Sequence, residues 1–542
     1  MRARDLAPLD AGTYDVIVIG GGIHGLATAY DVASRGLRVA LVEAQDFGGA
    51  TSFNHQKTAH GGLRSLGTGQ LGRARESIRE RRNLARIAPW FLRPLPFLVG
   101  TYRSLPKNRL VLRAAFKLDG WLGRHRNDGV EPELHLPTPR LVSKAATLRL
   151  FAGVRPDNLT GGAQWYDYQM VEADRLTLAF AAAADRAGAD LVNYAEAIEV
   201  IRDGGRVAGI VVRDRLTDAT VTVKARVTVN AAGARAGEIM RLFGVNRPFP
   251  LVKAMNLLTS RPASDMALAA PAPNGRMLTL VPWRGRALVG TSQSTVLVQP
   301  DETTVHASEI DAFIADANYA FPALKLSRAD VTLIHRGIVP AVSGRDGRPD
   351  LKSSTEILDH AGEGAAGALT VVGVKYTTAR LVAERVGNAV GKRLGRRLPH
   401  SRTAMTPLPG AGIADHEALA IETARDLRFD VPLETLRHLI GLYADRAADV
   451  IRIMPERDQL RTPVDTGVAT IGAEVVHAIR HEMAVRLPDI VIRRTGLGSA
   501  GMPSQEAVER CARIAATELG WDDARTREEI SAVTRFYEIR ES

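Results

Sequence analysis

Runs of apolar residues divide the chain before any single side chain is considered. Val16–Ile19 is a short β-branched run inside "YDVIVIGGG", the pattern of a buried strand that stops at a glycine turn. "LATAYDVASRG" then has helical spacing and "RVALVEA" is a second strand, so the chain opens on a strand–helix–strand unit. Further strands are expected in "RVTVNAAGARAGEI" (226–239) and at the start of "LTVVGVKYTTARLVAERV" (369–386), each leading into a helix. Between them "RMLTLVPW", "RALVGTS" and the helix "ASEIDAFIADANYAF" predict a mixed sheet. Beyond the linker-like "PLPGAG" (407–412) the 3.6-residue period of "PLETLRHLIGLYADRAADVIRI" and "AEVVHAIRHEMAVRL" predicts helices to the end.

With 542 residues, 45% of them hydrophobic, the chain has material for two or three structural units. Its single cysteine, Cys511, excludes an intrachain disulfide framework and fits a reducing, cytoplasmic setting. No run approaches the roughly 20 apolar residues a membrane span needs, and the first residues lack a signal-peptide layout. The net charge of +11 implies an anionic partner: nucleic acid, an acidic lipid surface or a phosphorylated substrate. Residues 90–126 carry eight Lys or Arg against one acid, Asp119, interleaved with Trp90, Phe91, Phe97, Tyr102, Phe116 and Trp121. That mixture suits docking on anionic lipid, or a helical hairpin with solvated charges. With no stacking motif, zinc spacing or recognition helix beside it, nucleic acid is not expected as a partner. His477, His481 and Glu482 share a helix face but do not form H-E-x-x-H, so no metal is expected.

The glycine turn carries the first chemistry. Gly20, Gly22 and Gly25, with Ile23 and His24 between them, give G-x-G-x-x-G after a strand and before a helix. The first glycine allows the tight turn, the second lets backbone approach a pyrophosphate, and the third lets strand and helix pack closely. The helix N-terminus attracts the phosphate charge. Glu43, ending the second strand beside Ala44, can accept hydrogen bonds from ribose hydroxyls. NAD and FAD both use such a unit. The late segment decides for FAD: Gly373, Lys375, Tyr376, Thr377 and Thr378 precede a helix whose dipole, with the lysine charge, suits the electron-rich edge of a reduced flavin. Ala231, Ala232 and Gly233 end another strand where backbone again nears the cofactor.

These pieces together resemble the FAD-dependent glycerol-3-phosphate dehydrogenases and the related glycerophosphate oxidases, from about residue 14 to about 535. The matching segments are "DVIVIGGGIHG", "VEAQDFGGATS", "HGGLR", "WYDYQMVEADRLTLAF", "VNAAG", "VPWRGRALVGTS", "VGVKYTTAR" and "VVHAIRHEMAVRLPDIVIRRTGLG". The resemblance implies an α/β fold of the glutathione-reductase and amino-acid-oxidase type: a discontinuous FAD-binding domain (14–90, 163–245 and 357–395), a basic and aromatic insertion (91–162), a substrate cap (246–356) and a C-terminal helical domain (405–542). It implies oxidation of a secondary alcohol of a polyol or polyol phosphate to a ketone, with hydride passing to flavin N5. Electrons would pass on to a quinone at the inner face of the cytoplasmic membrane; a homodimer is compatible with it. The residues also leave open an oxygen-using oxidase, a dehydrogenase of another hydroxylated compound, and a flavin-binding protein without catalysis.

"TSFNHQKTAHGGLRSL" (51–66) resembles the family's loop across the flavin. Thr51 and Ser52 would meet the pyrophosphate and ribityl chain, Lys57, His60, Gly61 and Gly62 would lie by the isoalloxazine, and Arg64 would face substrate. Ala197 is expected near the cofactor as well. The substrate chamber departs from the family pattern: Ser65 stands for a tyrosine, Asn256 for a histidine, and Val339 and Ser353 for arginines. Losing those cations weakens the expectation of a phosphate dianion, because guanidinium forks pair bidentately with phosphate. Arg336 is a candidate to refill the anion site, and His335 a candidate to take the hydroxyl proton, beside Arg64 and Lys375.

Overall fold

The computed structural model describes residues 1–63, 69–103, 109–344, 347–410, 415–427 and 430–541. It divides into two compact units: residues 1–53, 172–251 and 339–538 in the first, and 54–171, 252–338 and 539–542 in the second.

The first unit is built on an eight-stranded sheet. Strand β1 (Thr13–Ile19) pairs in parallel with β2 (Val39–Val42) on one side and with Thr220–Asn230 on the other. Ala368–Val372 extends the parallel set next to Thr220–Asn230, and Asp190–Val192 extends it next to β2. Every residue of β2 is buried, as strands covered on both faces must be. Helix α1 (Ile23–Ser34) connects β1 to β2 and packs against the helices Ala173–Arg186 and Ala379–Leu394. Three antiparallel strands, Ala195–Asp203, Arg206–Asp214 and Thr220–Asn230, form a meander at the side. The C-terminal helices, from His416–Asp426 to Asp523–Phe536, cluster with this unit.

The second unit carries a mixed sheet in the order Val331–Ser343, Leu251–Pro262, Arg286–Gln293, Met277–Trp283, Ala267–Pro271, Leu92–Tyr102, Leu159–Met170 and Thr58–Ala59. One side of it is closed by the helix Ala307–Ala320, whose Ile310, Phe313, Ile314 and Ala317 enter an apolar core with Leu257, Leu280 and Val289.

The compact division falls at other places than the sequence expectation. Residues 54–90 lie with 91–162 rather than with the dinucleotide sheet, since Thr58–Ala59 and Leu92–Tyr102 both pair with Leu159–Met170. Residues 90–126 are therefore not a helical hairpin, one of their two readings: the basic and aromatic stretch begins as an eleven-residue strand inside a sheet, with the helix Arg109–Leu122 after it. Pro94 and Pro96 disguise it. Both lie outside Phe97–Val99, the stretch with a neighbour on each side, and so at positions where a missing N–H is better tolerated.

Candidate active site and cofactor cradle

The glycine turn of the first unit has the geometry its spacing predicts. Gly20 has φ +110°, and a Cβ there would fall 2.6 Å from Ala231 O; one on Gly25 would fall 1.8 Å from Gly20 O. Only glycine fits either place. Gly22 precedes α1 and brings no side-chain cap of its own, while the Ile23 N–H donates to Ser52 Oγ at 2.9 Å. Glu43 accepts from the N–H groups of Gly21 (2.6 Å) and Gln45 (2.8 Å). Burial pushes its carboxyl above the usual range against those two donors. Each carboxylate oxygen has a second acceptor site for a ribose hydroxyl. A Cβ on Gly373 would meet the His24 ring at 2.5 Å, so the late strand ends against the glycine turn. His24 Nε2 is buried without a hydrogen-bond partner in the protein, and burial lowers its pKa to about 4. Gly233, at φ +59°, has open space where a Cβ would stand. Lys375 precedes the turn Tyr376–Thr378, which leads into Ala379–Leu394, and the Tyr376 hydroxyl lies 2.8 Å from Thr177 Oγ1. Glycine backbone at a helix start, a ribose-ready carboxylate and an orphaned ring nitrogen fit a bound dinucleotide.

In the second unit the HGG segment meets a buried carboxylate. Asp167 accepts the Gly61 N–H at 2.6 Å and pairs with Arg81, while His60 Nδ1 lies 3.4 Å from it. Asp167 is buried, yet the Arg81 guanidinium and the His60 ring hold its carboxyl below the usual range. The His60 side chain is half-exposed, and its Nε2 lies 2.8 Å from Thr58 Oγ1. A Cβ on Gly61 would overlap the Arg81 guanidinium, which explains the glycine.

A second set of side chains belongs to the same unit, from residues 54–57 and from its strands. Lys57, fully buried at φ +54°, places Nζ 5.6 Å from the centre of the Trp283 ring. His335 is fully buried edge-on to Trp283; burial, then the charges of Lys57 and His55, keep its pKa well below the ordinary value. The Arg336 N–H donates to Asn54 Oδ1 at 2.8 Å. Asn256 is buried with Oδ1 accepting from Thr291 Oγ1 at 2.8 Å, and Thr279 Oγ1 donates to Gln56 Oε1 at 2.7 Å. A Cβ on Gly290 would lie 1.9 Å from Asn256 Oδ1, so glycine makes room for that amide.

Comparison with known proteins matches residues 15–385 to the FAD dependent oxidoreductase family and residues 401–526 to the C-terminal domain of alpha-glycerophosphate oxidase. The glycerol-3-phosphate dehydrogenase of Synechocystis sp. is 31% identical over 515 residues, 91% of this chain and 90% of that one. The chain belongs to the FAD-dependent glycerol-3-phosphate dehydrogenase family. It is 30% identical over 567 residues to the mitochondrial glycerol-3-phosphate dehydrogenase of Bos taurus, covering 99% of this chain and 74% of that one. The crystal structure of the glycerol-3-phosphate dehydrogenase from Bacillus halodurans complexed with FAD shares the fold at TM-score 0.76 and 24% identity, over 98% and 96% of the two chains. This chain is thus an FAD-dependent oxidoreductase.

Family membership leaves the individual positions to geometry. Gly20, Gly22, Ile23, His24, Gly25, Glu43, Ser52 and Gly373 stand together in the first unit, and Lys57, His60, Gly61, Asn256, His335 and Arg336 belong to the second. Arg64 and Ser65 lie outside the described residues. Ser353 is exposed, and Lys352 beside it is ion-paired to Glu356 at 2.6 Å. Ala197 packs against the apolar core under the meander. Sequence reasoning passed over Asp167 and Arg81. Asp167 stood inside the family segment "WYDYQM", but nothing in the spacing links it to a histidine 107 positions earlier.

Proposed function

We propose that the chain oxidises the secondary hydroxyl of a glycerol-3-phosphate-like polyol or polyol phosphate to a ketone and hands the electrons to a membrane quinone. Bound FAD supplies the hydride acceptor, its N5. The pairing of His60 with Asp167 carries this reading. With Nδ1–H donated to Asp167, the imidazole keeps the tautomer whose Nε2 is the acceptor, and Asp167 stabilises the imidazolium that forms when Nε2, released from the Thr58 hydroxyl, takes the hydroxyl proton. His335 has no exposed surface, which favours His60 for that role. Lys57, Arg336 and Lys375 are the cations we assign to charge on substrate and flavin. Gly20, Gly22, Glu43, Ser52, Gly233 and Gly373 are assigned to the dinucleotide.

One observation favours a substrate other than the phosphate ester. At Asn256 a buried amide, hydrogen-bonded to Thr291, stands where the family pattern has a histidine. Amides and hydroxyls recognise sugar-like hydroxyl groups, and an amide at this position adds no charge to the cations that would meet a phosphate dianion. Anaerobic incubation of the holoenzyme with a panel of polyols and their phosphates tests both readings. Flavin bleaching by glycerol 3-phosphate supports the first, bleaching only by non-phosphorylated polyols supports the second, and bleaching by none rejects catalysis on either class.

Delivery to quinone calls for a membrane contact, and no helix among the described residues is long and apolar enough to cross a bilayer. The helix Arg109–Leu122 supports peripheral docking. Val111 (50% exposed) and Trp121 (64% exposed) project an apolar edge, exposed Arg113, Lys117 and Arg124 accompany it, and Asp119 is buried against Arg126.

A further inference from the structure

The segment from Glu43 to Ser52 forms the outer wall of the glycine turn and is held at both its ends and its middle. The Gly48 N–H donates to Gly21 O at 2.9 Å, and a Cβ on Gly21 would strike Phe47 and Glu43, so the segment lies in contact with the turn. Its ends do the binding work: Glu43 holds the Gly21 N–H and Ser52 accepts from Ile23. Between them Asp46 is buried. There it meets two arginines from the far end of the chain. Arg494 grips it bidentately, Nη1 to Oδ2 at 2.8 Å and Nη2 to Oδ1 at 2.6 Å. Arg493 Nε adds a contact to Oδ2 at 2.7 Å while its Nη2 holds Asp489 at 2.6 Å. Arg494 is fully buried, with Nε on Glu482 O. Both arginines sit on a short π-helical turn, Asp489–Arg494, a geometry that recurs at functional positions.

Charges so deeply buried are costly to desolvate, and an apolar cluster would hold two elements together as well. What a bidentate fork adds is direction: it fixes where Asp46 lies. We propose that Arg493 and Arg494 are positioning residues for FAD, fixing the Glu43–Ser52 segment against the glycine turn through Asp46 and so making the C-terminal helical region part of what sets FAD affinity.

The test measures FAD affinity directly, so it stands apart from any result on substrate. The Asp46→Asn/Arg494→Gln double variant removes both charges together and leaves a neutral amide pair. The deflavinated protein is titrated with FAD by fluorescence quenching, and its melting temperature is recorded without FAD. FAD binding weakened on the order of tenfold or more, the worth of a lost charged contact, with a melting temperature near that of the parent, supports the proposal. Tyr443→Phe, which removes a buried hydrogen bond to Glu474 among the same helices without touching the segment, is the control and should leave the FAD dissociation constant unchanged. An unchanged constant in the double variant, or an equal loss in Tyr443→Phe, overturns it. Should the double variant not fold, Arg493→Gln decides: it leaves Arg494 on Asp46 and is expected to give a smaller loss of the same kind, no loss counting against the proposal.

Discussion

His60 keeps one ring nitrogen towards Asp167 and half of its side chain open, so His60→Asn should remove the proton acceptor while preserving much of the shape. Flavin reduction by substrate in an anaerobic single turnover should slow by about 10²–10⁴-fold, with FAD content unchanged; a variant reducing its flavin at the parent rate would take the role from His60. His24 gives a pH dependence. Burial lowers its pKa to about 4 from the ordinary 6.5, so between those values the unfolded chain binds a proton that the folded one refuses. Stability therefore falls as pH drops through this window, by about 2 kcal/mol from pH 7 to pH 5 for this one group. Chemical unfolding at the two pH values should show that loss reduced in His24→Asn. The glycine turn around His24 was legible because its three glycines fall within six residues between a strand and a helix. The Asp167–Arg81 pair that fixes His60 was not, because it joins positions with no common period.

At the scale of elements, the helix Arg109–Leu122 makes the membrane reading measurable. Each large apolar side chain buried in an interface contributes roughly 1.5–3 kcal/mol, so Val111→Ser with Trp121→Ser should weaken binding to anionic liposomes by tenfold or more at unchanged charge. Parent protein that fails to sediment with such liposomes even at low salt would reject the contact. Elements with an uninterrupted period were readable in the sequence: β1, α1, β2 and the strand and helix around Lys375 stand where patterning placed them, and the C-terminal segments are helical with breaks at Ala444 and Met483. Leu92–Tyr102 was not readable, since its prolines and neighbouring basic residues imitate a surface segment, and its strand character comes from Leu159–Met170 far downstream.

For the whole molecule, the α/β class and the interrupted dinucleotide sheet followed from the order of motifs, because a parallel strand needs a crossover and the late glycine segment supplied the closing one. The division into units did not follow. Strand pairing across long separations decides it, and no local signal carries that information. The same separations govern how the chain acquires its cofactor. The Asp46–Arg494 contact spans 448 residues. As the polypeptide leaves the ribosome, the glycine turn emerges more than four hundred residues before the arginines that would steady its outer wall. Competence to take up FAD would then mature late in synthesis, and a chain stalled shortly before residue 494 would hold a finished turn without its clasp.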